Sequence, residues 1–249
     1  MEYILLLLTG LVGLIAGLAS GFFGIGGGSI RIPLLNFMGF TLIASYGLNL
    51  ISLPIGTFIG AYSQKQNIDS HLGTYMILGG SIGTIIGTLI AFGLATSSIA
   101  LAIVFLIVSI ISVIGMNLHS IIPSRSASLS PSFRNLFSAT LLFNTLTGMR
   151  GGTEGSLFVP LLRSLNVDMH RAISTALFAA IFTSLVGVAL YWIHLHPILL
   201  YGLVILTGSA VGSRIGSIFS LKTKPDWLEK GLSIIIICLS VLPLLKLFL

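Results

Sequence analysis

Apolar residues dominate this chain, and polar or glycine-rich breaks cut them into ten segments, at 3–20, 29–39, 42–63, 72–94, 97–118, 133–147, 156–165, 170–193, 197–219 and 229–248. Most reach or approach the ~20 residues an α-helix needs to cross a hydrocarbon core. Segments two and seven are much shorter. At ~1.5 Å rise per residue, each covers about half a bilayer. They are expected to return from mid-membrane, and irregular backbone at that depth is tolerated only inside protein or along a wet cavity. The pattern predicts an all-α polytopic membrane protein.

The two short segments open in matching ways. Ser20 to Leu35 reads SGFFGIGGGSIRIPLL, and Thr147 to Leu162 reads TGMRGGTEGSLFVPLL. Gly21, Gly24, Gly28, Ser29, Pro33, Leu34 and Leu35 align with Gly148, Gly151, Gly155, Ser156, Pro160, Leu161 and Leu162. A second pair of matched stretches carries Gly79, Gly83 and Gly87 against Gly208, Gly212 and Gly216, small-xxx-small ridges suited to close helix packing. The chain therefore divides into a repeat at 1–121, a polar linker at 122–132 and a second repeat at 133–249. Five segments per half is an odd number, so the second half enters the membrane from the opposite side, as an inverted repeat. Paired glycine-broken segments in corresponding halves point to a transport site.

Composition agrees. Only 7% of residues are charged, against roughly 25% in a soluble domain, and mean hydropathy is +1.09. No charge occurs from Tyr3 to Ile30, Ile32 to Gln64, Ser70 to Ser124 or Ala172 to Ser213. The net charge of +6 does not point to nucleic acid, because most basic residues sit in short loops. Lys65, Arg125, Arg134, Arg163, Arg171, Lys222, Lys224 and Lys230 fall on one side of the predicted layout and Lys246 on the other. The positive-inside rule makes the crowded side cytoplasmic and puts both termini outside. The protein is expected in a cell membrane, with Trp192 and Trp227 as interfacial anchors. No basic n-region precedes the first apolar stretch, so the first helix is expected to be retained. Cys238 is the single cysteine, which excludes an intrachain disulfide and a cysteine metal site. No cofactor or metal is expected.

Consecutive glycines at Gly26, Gly27 and Gly28 free the backbone to leave the helix. They do not form a nucleotide loop, since GxxxxGK[ST] is absent. Half-helices starting near Ser29 and near Gly155 and Ser156 would present backbone N–H groups and a positive partial charge to an anion. Ser29 and Ser156 are open to two roles, N-cap or ligand donor. Arg31, Arg150, Glu154 and Arg214 lie in or beside apolar segments, where each charge costs ~2.5–3.5 kcal/mol at mid-bilayer. Facing one cavity, they would sum to a positive site suited to a small anion, gripped by guanidinium. Arg214 has an alternative, snorkelling to the interface. Glu154 either pairs with Arg150 or Arg31, or couples transport to protons, because burial raises a carboxyl pKa. Asn49 and Asn144 serve as packing amides or ligands.

At these residues the chain resembles the sulfite exporter TauE/SafE family, the TSUP permeases. The resemblance rests on Gly10 to Leu35, GLVGLIAGLASGFFGIGGGSIRIPLL, and on the degenerate copy from Gly148 to Leu162. It implies transport of sulfite, sulfoacetate or other organosulfonates. The family's glycine–proline motifs map onto Gly24, Gly26, Gly27, Gly28 and Pro33, then Gly151, Gly155 and Pro160. The second copy departs from the pattern: where the first has Phe23, Gly26 and Gly27, it carries Arg150, Thr153 and Glu154.

The expected function is secondary transport of a small sulfur-containing or organic anion around a midplane site, with export as the expected direction and H+ as the candidate coupling ion. An anion channel is the alternative, and a membrane-embedded enzyme a weaker one, since neither a serine–histidine pair nor HExxH is evident. A homodimer is compatible with the spare glycine ridges.

Overall fold

The computed structural model describes residues 2–23, 27–121, 132–152, 155–195, 199–223, 238 and 241–246. They form α1 (Glu2–Phe23), α2 (Gly28–Phe37), α3 (Leu42–Ser63), a 3-10 turn (Lys65–Asn67), α4 (Ser70–Gly93), α5 (Ser98–Ile121), α6 (Phe133–Met149), α7 (Gly155–Ser164), α8 (Met169–Leu195), α9 (Leu199–Ser220) and α10 (Leu242–Leu245). There is no strand among the described residues. Among them, α1, α3, α4, α8 and α9 are long and apolar enough to cross a membrane. The linker at 122–131, most of the tenth segment, Gly26 and Glu154 lie outside the described residues.

Helix starts follow ordinary capping chemistry. Thr41 caps α3 by accepting from the Ala44 amide, and Ser132 caps α6 through Asn135. Asp69 caps α4, accepting from His71 and Leu72. Asp69 also meets Arg171 at 2.5 Å, tying the start of α4 to the start of α8. Partial burial pushes this carboxyl up, but the Leu72 amide, Arg171 and the His71 amide together hold it below its ordinary value.

Glycines set the helix pairing. Gly13, Gly17 and Gly21 of α1 abut Ile205, Ser209 and Ser213 of α9, while Gly208, Gly212 and Gly216 press back onto the α1 backbone. The two helices run parallel. Gly79, Gly83 and Gly87 of α4 lie in the same way against Phe137, Leu141 and Thr145 of α6, also in parallel. A side chain on either ridge would overlap a backbone carbonyl. Gly212→Leu is therefore expected to cost at least ~1–3 kcal/mol by overpacking, seen as a lower melting temperature in detergent, whereas the same change at open Gly93 leaves it unaltered.

Other registers give the remaining directions. Ser213 donates to the Gly56 carbonyl, and Gly202 meets Ile51, so α3 runs parallel to α9. Gly60 meets Leu177 while Gly187 meets Leu50, so α3 and α8 are antiparallel. Gly73 and Gly80 meet Phe178 and Thr183, so α4 parallels α8. Hence α1, α3 and α9 point one way and α4, α6 and α8 the other. Three long helices of the first half run opposite to those at the matching places in the second: α1 to α6, α3 to α8, α4 to α9. Lys65, Arg134 and Arg171 fall at one end of this bundle.

The short helices begin deep inside. Gly27, at φ 75°, sits against the Ala16 carbonyl, well below the end of α1. From there α2 descends between α1, α3 and α9, with Leu35 in a cluster with Val12, Leu48 and Ile205. In the second half, Gly151 and Gly152 take φ of 84° and 67°, ending α6. Phe158 of α7 then reaches Gly80, midway along α4.

Candidate functional site

The two breaks meet in the middle of the bundle. Arg31, one turn into α2, donates from Nη1 to Asn49 Oδ1 at 2.5 Å and from Nη2 to Ser209 Oγ at 2.6 Å. Asn49 in turn donates from Nδ2 to the carbonyls of Gly151 at 2.8 Å and Gly152 at 3.1 Å. Ser209 Oγ in turn donates a hydrogen bond to the Gly13 carbonyl. A line of hydrogen bonds thus joins α1, α9, α2, α3 and the second break. The left-handed glycines are what turn the Gly151 and Gly152 carbonyls toward α3, at a conformation other residues rarely adopt.

Arg150 makes the reciprocal crossing. It caps the end of α6, and its fork reaches Ser109 Oγ of α5 at 2.8 Å and Ser29 Oγ of α2 at 3.2 Å. Its guanidinium also lies 5.7 Å from the centre of the Phe105 ring, a cation–π contact. Arg31, Arg150, Asn49 and Ser29 are all buried. Arg31 meets neutral oxygens, and the contacts of Arg150 include two hydroxyls and a ring. Among the described residues the one ion pair is Arg171–Asp69, at the bundle's end. Two cations in a low-dielectric interior act on an anion far more strongly than they would in water.

The expected residues divide as follows. Gly27, Gly28, Ser29, Arg31, Asn49 and Arg150 come together. Gly155 starts α7, and Ser156 follows it in the helix. Ser29 does not cap α2: Gly27 holds that position without a side-chain bond, leaving Ser29 as the acceptor for Arg150. Glu154 lies outside the described residues, and with it the expected pairing to Arg150 or Arg31. Arg214 is not brought to the cluster. It is exposed and donates to Ser63 Oγ at the end of α3, because Gly212, Ser213, Gly216 and Ser217 occupy the inward face of α9. Asn144 packs α6 to α4, donating to the Gly80 carbonyl and Thr84. Sequence reasoning missed Ser109 and Ser209. A groove of about 830 Å3 lined by Ile15, Phe22, Leu34, Phe219 and mostly apolar neighbours offers an anion no charge.

A family model for the sulfite exporter TauE/SafE matches residues 9–242. The chain belongs to this family. It is a multi-pass membrane transporter by that membership, and the long apolar helices agree. This TauE/SafE member is similar to the Probable membrane transporter protein YunE of Bacillus subtilis (strain 168), at 23% identity over 253 residues, covering 91% of this chain and 92% of that protein. No solved structure matches it significantly.

Proposed function

We propose that this protein is a secondary transporter that binds one small sulfur-containing or organic oxyanion, of the sulfite or organosulfonate class, where the two helix breaks meet. The observation that carries the reading is the convergence of Arg31 and Arg150, both buried, each reaching across to the opposite half of the chain. Positive charge at mid-membrane is expensive, and an anion bound where the two guanidiniums converge would lower that cost. The family name supports the substrate class.

The halves 1–121 and 133–249, with the linker at 122–132 between them, act as two inverted repeats that rock about this junction to alternate access. Opposed directions of α1 and α6, α3 and α8, and α4 and α9 support that reading. The end bearing Lys65, Arg134 and Arg171 is cytoplasmic by the positive-inside rule, which puts both termini outside a plasma or inner membrane. Glu154, beside the junction in sequence, is the proposed proton-coupling group, and the proposed direction is export. A homodimer remains the proposed assembly.

Purified protein in liposomes should take up labelled sulfite saturably, and an unlabelled anion on the far side should accelerate uptake. That stimulation is the mark of a carrier. Linear, unstimulated flux identifies a channel instead, and absence of anion flux sinks the proposal.

A further inference from the structure

Two buried phenols stand next to the junction, and nothing described above uses them. Tyr46, near the start of α3, is 0% exposed, and Tyr191, near the end of α8, is 1% exposed. Neither hydroxyl has a hydrogen-bond partner among the described residues. A buried hydroxyl left unpaired bears its full desolvation penalty, and folded proteins rarely keep such groups without a reason.

Their surroundings supply the reason. Both tyrosines belong to one packed cluster with Leu50, Leu101 and Phe105, and Phe105 is the ring under Arg150. The Tyr46 ring lies so close to Gly151 that a side chain there would overlap it. Tyr46 sits within electrostatic range of both Arg150 and Tyr191, and Asn49 follows it by about one helical turn. The pair lies toward the start of α3 and the end of α8, away from the end that gathers Lys65 and Arg171.

We propose that Tyr46 and Tyr191 form the outer wall of the anion site, donating their hydroxyl protons to oxygens of a sulfite- or sulfonate-type oxyanion held by Arg150. The inference rests on the transporter reading above and adds two ligand donors to it. Phenols suit the task because they donate without adding charge. An anion with three oxygens satisfies both hydroxyls and a guanidinium together. Chloride, a single centre, satisfies them poorly, so the site should prefer oxyanions.

The test is thermal stabilisation of the purified full-length protein by sulfite, methanesulfonate and chloride. Wild type, Tyr46→Phe, Tyr191→Phe and Arg150→Lys are compared. Phenylalanine keeps the ring and removes only the unpaired hydroxyl, so the ligand-free melting temperature should hold or rise. The apparent Kd for sulfite or methanesulfonate should weaken about tenfold in each phenylalanine variant, the scale of a hydrogen bond to a charged group. Unchanged affinity in both, while Arg150→Lys loses binding, overturns this inference and leaves the transporter reading intact. A ligand-free melting temperature that drops sharply shows the hydroxyls to be structural and also overturns it. A wild type that none of these anions stabilises overturns both readings.

Discussion

Arg150→Ala should abolish anion flux, and Arg150→Lys should fail to restore it. The Arg150 fork spans two elements at once, Ser109 on α5 and Ser29 on α2. A lysine ammonium is a compact point charge and cannot bridge both with the same planar geometry. Losing a bidentate, charge-assisted grip on an oxyanion is worth roughly 3 kcal/mol, or about 100-fold in apparent affinity. The variants should still fold. Ser109 keeps its bond to the Phe105 carbonyl, and alanine removes a charge that is costly at mid-membrane. Initial rates in liposomes, normalised to monodisperse protein, read the effect. Wild-type flux in Arg150→Ala would remove Arg150 from the site.

Asn49→Leu should act on the fold instead, with the largest stability loss of any single change in the cluster. Asn49 accepts from Arg31 and donates to two carbonyls of the second break. Leucine leaves all three partners buried and unmatched, at ~1–3 kcal/mol for each unsatisfied group. That sum rivals the whole marginal stability of an ordinary domain. Asn49→Asp separates the two roles of the residue. It keeps an acceptor for Arg31 and recovers part of the stability, but its charge competes with the anion for that guanidinium. Melting temperature should fall steeply for leucine and less for aspartate, while anion stabilisation is lost in aspartate. Equal melting temperatures for Asn49→Leu and wild type would mean that the break is not held through Asn49.

Much of this was legible in the chain because a membrane leaves few options. Long apolar runs without charge read as helices, and the expected segment starts at 42 and 133 coincide with the starts of α3 and α6. The ridges Gly79, Gly83, Gly87 and Gly208, Gly212, Gly216 announced close helix packing, though not their partners. Arg31, Arg150 and Asn49 stood out because each is conspicuous in an apolar context. Ser109 and Ser209 did not, since a single hydroxyl in a membrane helix commonly bonds back to its own helix. Tyr46 and Tyr191 were hidden for a different reason: an aromatic in an apolar run reads as packing until its hydroxyl is found unpaired. Arg214 shows the limit of composition alone. It lies between Ser213 and Ile215, and only the inward turn of Gly212, Ser213, Gly216 and Ser217 sends it outward. The row Ser209, Ser213 and Ser217, spaced at i, i+4, i+8, was the available signal for that face.

The central claim is that two oppositely directed backbone breaks jointly hold one anion through Arg31 and Arg150. Equilibrium binding of 35S-sulfite to purified protein in detergent tests it most directly, with wild type beside Arg31→Gln and Arg150→Gln. The account predicts saturable binding of one anion per chain, displaced by methanesulfonate and weakened at least tenfold by either substitution alone. Wild-type affinity in both glutamine variants, or no saturable binding by a folded wild type, would contradict it.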